Sequence, residues 1–181
     1  MGNMISDFVK GKKKFDYPPM IQKGITLHRA IDEFTDNHAA TKKAKEIFRA
    51  DYRLYAGAFI DVVYDHFLAV DKNEFAEVPL LTFTQNTYQL LSPFHTIFPE
   101  RFQKMFPYMQ RQNWLYNYQF YWGIERSFGG LVRRAAYLSE SEKAFQLFEQ
   151  HYSALEQCYH NFFPALKKYA AEKFSELLMV N

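Results

Sequence analysis

Over most of its length the chain places apolar residues three and four positions apart, the period that brings side chains together on one side of an α-helix. Phe145, Phe148, Tyr152, Leu155, Tyr159, Phe162, Leu166 and Tyr169 keep that rhythm through the C-terminal part. The stripe predicts one long C-terminal helix, kinked at Pro164, packed on the domain's own core in preference to a dimerising coiled coil. No stretch alternates with the period of two that a half-buried strand requires. Glycine and proline, which interrupt helices, number only seven each in 181 residues, so connections must be short. The expectation is an all-α, single-domain helical bundle spanning residues 1–181, with no internal repeat and no linker.

Helix boundaries follow from the punctuation. Pro18 and Pro19 open a helix that carries Ile21, Ile25, Leu27, His28, Ile31 and Phe34 to about Asn37, because proline in a first turn forfeits no intrahelical bond. Further helices are expected over about 39–48 and about 52–70, the second apolar enough to be buried on most sides. Pro79 opens another to about Leu91. Pro93, Pro99 and Pro107 then predict an irregular, loop-rich stretch ending at residues 112–115. Helix resumes over about 118–137, where Gly123, Gly129 and Gly130 signal close packing or a bend.

Composition excludes several classes of function. Lys and Arg total 22 against 20 Asp and Glu, a net charge of +2 that is too even for a nucleic-acid binder working by bulk charge. The single cysteine, Cys158, rules out an internal disulfide framework and a cysteine-rich zinc site, and points to a reducing, cytoplasmic home. Residues 1–15 lack the apolar core of a signal peptide, and no run approaches a membrane span, so no membrane partner is expected.

The residues able to carry chemistry fall on two of the expected helices. His28, Asp32 and Asp36 recur at i, i+4 and i+8, each displaced by only about 40° from the last, so all three line one side. Asp36, followed by Asn37 and His38, also reads as a helix-end residue. Asp61 and Asp65 repeat the four-residue spacing inside the apolar helix, with His66 directly after. Two carboxylates buried there without counter-charge would cost several kcal/mol each, in rough terms, so something positive should sit between the helices. A divalent cation meets that need. Mixed imidazole and carboxylate ligation favours manganese, iron or magnesium over structural zinc, and Asp7 adds a candidate from a third segment. Lys10, Lys12, Lys13 and Lys14 follow Asp7, whereas Lys42, Lys43 and Lys45 read as a solvated face. Arg133 or Arg134 suits a bidentate grip on phosphate. There is no Ser-His-Asp or Cys-His nucleophile, P-loop or dinucleotide-binding glycine motif. Metal-assisted attack of water on phosphorus is the chemistry that remains.

Longer blocks carry a resemblance. DFVKG at 7–11, PPMIQKGITLHRAIDEFTDNH at 18–38, YAGAFIDVVYDHFLA at 55–69, QNWLYNY at 112–118, GI at 123–124 leading to LVRR at 131–134, and NFFPAL at 161–166 resemble the acyl carrier protein phosphodiesterases in consistent order. The resemblance implies a helical enzyme distantly similar to HD-domain phosphohydrolases. It would use manganese or a similar metal to hydrolyse 4′-phosphopantetheine from holo-acyl carrier protein, giving the apo form. It implies metal ligation by His28, Asp36, Asp65 and His66, and catalytic roles for Asp7, Asp32 and Asp61. Lys10, Lys12, Arg133 and Arg134 would meet the substrate phosphate or the carrier's acidic surface. Members of the family carry a histidine-containing segment ahead of the GN-x-x-x-DFVKG stretch, which here begins MGNMISDFVKG; that segment is expected to be missing. The alternatives are an HD-like hydrolase of a nucleotide or other small phosphodiester, and a helical protein that binds a carrier without cleaving it.

Overall fold

The computed structural model describes residues 1–179; Val180 and Asn181, the last two positions of the expected domain, lie outside the described residues. The chain opens with a short helix α1 (Gly2–Ile5), a 3₁₀ turn at Ser6–Phe8 and another at Gly11–Asp16. Helix α2 (Pro19–Asn37) then starts in the conformation Pro19 presets. It is followed by α3 (Ala39–Tyr52), α4 (Ala56–Val70), α5 (Leu80–Leu91), α6 (Glu100–Gln112), the single turn α7 (Trp114–Asn117), α8 (Tyr121–Arg134), α9 (Glu142–Gln150) and α10 (Tyr152–Met179). No strand occurs among the described residues.

The helices bury two apolar clusters. The larger joins α3, α4, α8, α9 and α10 around Phe48, Phe59, Phe128 and Phe148, all wholly buried. Phe48 stacks on Phe59 at 5.7 Å between centroids, and Phe59 meets Phe128 edge-to-face at 5.0 Å, the offset geometries aromatic quadrupoles favour. The smaller cluster joins α1, α2, α5 and α6 through Ile5, Ile25, Tyr88, Phe102 and Phe106. Helix α2 belongs to both. Ile21 and Ile25 enter the smaller cluster, whereas Phe34, three turns on, packs against the larger and stacks on Tyr169 of α10 at 4.5 Å.

Two glycines allow α1 to lie directly on α2. A β-carbon on Gly2 would stand 2.1 Å from the Ile21 carbonyl oxygen, and one on Gly24 would stand 2.9 Å from Gly2 Cα. Backbone therefore meets backbone at this crossing, which only glycine permits. The segment after α1 is tied down as well, because Arg29 Nη2 on α2 donates to the Val9 carbonyl at 2.6 Å.

Four boundaries differ from expectation. The stretch expected to be loop-rich contains α6, which runs through Pro107. Proline deprives the Gln103 carbonyl of its helical partner, and His95 Nε2 lies 3.2 Å from that oxygen as a replacement. The expected long C-terminal helix is divided at His151 (φ −109°, ψ 17°) into α9 and α10, and α10 continues through Pro164. The aromatic stripe nevertheless packs inward, with Phe148, Leu155, Tyr159 and Phe162 buried. The helix expected over 118–137 is α8, beginning at Tyr121 because Gly123 packs against the Asn117 carbonyl, where a β-carbon would stand 2.0 Å away. Finally, α3 extends to Tyr52, and Arg53, at φ 46° and ψ −117°, turns the corner into α4.

Candidate metal centre

Three expected site residues converge at the seam of the two clusters. His28, in the middle of α2, has Nε2 3.1 Å from Asp7 Oδ1 and 3.2 Å from Asp32 Oδ2. One ligand atom from each lies within 4.8 Å of the other two. Asp32 reaches His28 through the four-residue spacing on α2. Asp7 reaches it because the glycine crossing seats α1, and the Ser6–Phe8 turn behind it, against α2. The opposite ring nitrogen, His28 Nδ1, is 2.7 Å from Asn3 Oδ1.

The site is open. The His28 side chain keeps 22% of its surface, whereas Asp7 keeps 76% and Asp32 54%. An ion held by these donors would therefore retain coordination positions facing solvent. The hydrogen bond with His28 holds the Asp7 carboxyl below the usual range, and the reciprocal bond with Asp7 raises the imidazole. Burial raises the Asp32 carboxyl, with the charges of Asp7 and Asp36 acting in the same sense.

Asp61 of α4 lies within electrostatic reach of His28 and Asp32, and Asp65 follows it one turn on. They do not lie inside the oily core as expected: Val62, Val63, Tyr64, His66 and Phe67 take the buried sides of the helix, and the two carboxylates share its accessible side. Both touch solvent yet are surrounded by protein. Burial is the main cause that pushes each carboxyl up to about 7, followed by the charge of Asp32 for Asp61 and of Asp61 for Asp65. Asp65 is further hydrogen-bonded to the Tyr118 hydroxyl. The donors that do meet, the imidazole of His28 and the carboxylates of Asp7 and Asp32 within 4.8 Å, fit a hard divalent ion.

Other expected ligands are placed elsewhere. Asp36, one turn beyond Asp32, accepts from Lys45 Nζ at 2.6 Å. Lys45, Arg49, Arg53 and Leu54 line a cavity of about 460 Å³ beside it. His66, expected as a ligand, sits in the core and outside the Asp7, His28 and Asp32 group. Its ring is buried, with Nδ1 2.7 Å from the Tyr118 carbonyl oxygen and Nε2 3.1 Å from the Tyr152 hydroxyl. It meets Phe67, Tyr121 and Phe148 edge-to-face, and burial lowers its pKa. One residue beyond Asp65 on a helix is about 100° away, so the two side chains serve different surfaces.

Lys10 and Lys12 are exposed on and beside the Gly11–Asp16 turn that follows Asp7. Arg133 and Arg134 occupy the last turn of α8, where the helix dipole favours cations, and Arg134 lies within electrostatic reach of Tyr118. Sequence reasoning missed Asn3, Tyr118 and Lys45. Asn3 carried a usable signal, because it precedes Asp7 by four residues and so shares its side of the opening segment. Tyr118 carried none beyond its place in the block at 112–118, and Lys45 read only as one of three cations on a solvated face.

Among the described residues no helix is long and apolar enough to cross a membrane. The sequence model of the family described as acyl carrier protein phosphodiesterase matches residues 1–166. An acyl carrier protein phosphodiesterase of Yersinia pestis is 33% identical over 174 residues, covering 96% of this chain and 90% of that protein. Similar proteins of the same name are 35% identical in Klebsiella pneumoniae strain 342, over 95% of this chain and 90% of the relative, and 31% identical in Photorhabdus laumondii, over 96% and 88%. No solved structure matches. A family match over most of the chain, with relatives above 30% identity along almost its whole length, makes this protein a member of the acyl carrier protein phosphodiesterase family, a family of hydrolases.

Proposed function

We propose that this chain is a cytoplasmic, metal-dependent phosphodiesterase that releases 4′-phosphopantetheine from holo-acyl carrier protein, and that the whole chain acts as one catalytic domain. The observation carrying the reading is the meeting of Asp7, His28 and Asp32 donor atoms within 4.8 Å, in a protein whose relatives bear that activity in their names. These three residues would hold the ion, a divalent metal suited to one imidazole and two carboxylates, with manganese the choice that the family resemblance implies. When bound, a divalent ion would supply a lowered water pKa and neutralisation of phosphate charge.

The remaining steps belong to side chains. Water attacks phosphorus as the bond from phosphorus to the carrier's serine oxygen breaks. One carboxylate takes the water proton and the serine oxygen must receive another. Asp61, with a carboxyl near 7, is suited to move protons in both directions at neutral pH. Asp65, held by Tyr118, supports Asp61 by its charge, and Asp36, paired with Lys45, is a reserve donor at the edge of the site. Lys10, Lys12, Arg133 and Arg134 would receive the phosphate and the acidic surface of the carrier, since local cations steer an acidic partner despite a near-neutral total charge. The test is to incubate holo-carrier with the protein and manganese and weigh the carrier. Loss of the mass of the prosthetic group is expected, and an unchanged carrier mass with manganese bound to the protein would reject the assignment.

A further inference from the structure

We propose that Asn3 is a positioning residue that holds the His28 ring by its Nδ1 edge and so keeps Nε2 aimed at the ion site between Asp7 and Asp32. The proposal rests on the metal-centre reading above. A neutral imidazole carries one proton and one lone pair, and only the lone pair can ligate. The two sides of the His28 ring compete for that proton. Nε2 faces two carboxylate oxygens, from Asp7 at 3.1 Å and Asp32 at 3.2 Å, and these pull the proton toward the very nitrogen that must be bare. Nδ1 faces one acceptor, Asn3 Oδ1, at 2.7 Å. An ion that takes the place of the Nε2 proton leaves the remaining proton on Nδ1, where the short hydrogen bond to Asn3 fixes the plane of the ring.

The local sequence explains why one segment does both jobs. Asn3 and Asp7 are four residues apart, so the opening segment grips the imidazole from two sides, with a neutral acceptor at Nδ1 and a charged ligand at Nε2. The grip depends on the close crossing of Gly2 and Gly24, which sets Asn3 over α2. An amide is suited to the Nδ1 side because it accepts a hydrogen bond without adding another negative charge to a site that already repels itself.

The experiment uses the full chain with Asn3→Ala and Asn3→Asp, comparing manganese affinity by calorimetry and the protonated ring nitrogen by nitrogen-15 NMR of the protein loaded with magnesium, a diamagnetic stand-in. Wild type should show the His28 proton on Nδ1, protected from exchange with solvent. Asn3→Ala should lose that protection and weaken manganese binding about 10–100-fold, the range seen when the outer partner of a ligating histidine is removed. Asn3→Asp, which still accepts from Nδ1, should keep both the proton position and the affinity within a few-fold. Thermal unfolding separates a misfolded variant from a mispositioned ring. A bare Nδ1 in the wild type, an Asn3→Ala affinity equal to wild type, or an Asn3→Asp variant as weak as Asn3→Ala would each overturn the role of Asn3. Absence of manganese binding by the wild type would instead overturn the metal-centre reading itself.

Discussion

Substitution of Gly24 by alanine separates helix stability from site assembly. In the interior of a helix, glycine to alanine ordinarily stabilises by about 1 kcal/mol through backbone entropy. Here the new β-carbon would stand 2.9 Å from Gly2 Cα and 3.0 Å from the Asn3 nitrogen, with no side chain able to give way. Carbon pairs settle near ~3.5–4.0 Å, so α1 must retreat by roughly 0.6 Å or more. Overpacking of this kind costs about 1–3 kcal/mol. The two effects nearly cancel, which leaves a net loss of about 1 kcal/mol and a fall in Tm of roughly 2–4 °C for a chain of this size. The consequence for the centre is larger, because Asp7 and Asn3 travel with α1, and a misplacement of about 1 Å is enough for a loss on the order of 100-fold in turnover. Thermal unfolding without metal, manganese calorimetry and carrier turnover should be measured together. A Gly24→Ala protein with raised Tm and unchanged manganese affinity would refute the claim that this crossing seats the site.

Four further outcomes follow from the same geometry. His28→Ala should weaken manganese binding by at least about 10-fold and abolish turnover, read by calorimetry and carrier mass. His66→Ala should instead destabilise by about 2–4 kcal/mol, because it empties core volume and strands the Tyr118 carbonyl; metal affinity should stay within twofold, and a large loss of affinity would restore His66 as a ligand. Asp61 and Asp65, raised to about 7 from an ordinary carboxyl value, bind more protons folded than unfolded. The metal-free protein should therefore lose stability as pH rises from about 4 through about 7 and not recover it above; Asp61→Asn should raise Tm at pH about 8 and barely change it at pH about 4, and manganese should flatten the wild-type profile. Arg53→Gly should stabilise by about 1 kcal/mol, since the corner at φ 46° and ψ −117° suits glycine and strains a residue with a β-carbon; thermal unfolding of the pair decides it.

Helical period and proline placement were enough to locate α2, α4 and α5 and to bring His28 and Asp32 together, because those contacts lie within one helix. The helix containing Pro107 was not legible, since its survival depends on His95 supplying a bond from another turn of chain. The same limit hid the surroundings of His66. Adjacency to Asp65 in sequence suggested a shared task, whereas the helix brings Asp65 to the Tyr118 hydroxyl and His66 to the core between the Tyr118 carbonyl and the Tyr152 hydroxyl. Asp36 carried the right spacing but was claimed by Lys45, nine residues later on the next helix. Spacing within a helix is local and readable; competition between helices for a side chain is decided only by packing.

Because α2 serves both apolar clusters, an ion held by Asp7, His28 and Asp32 would pin the opening segment of the chain to the helix that both halves share. Asp7 follows α1, which packs into the cluster built on α5 and α6, whereas His28 and Asp32 belong to α2 itself. Loading the centre should then slow amide exchange far from it, in α6, while leaving the already tight aromatic interior around Phe59 unchanged. Occupancy would be written into the breathing of a helix that never touches the metal.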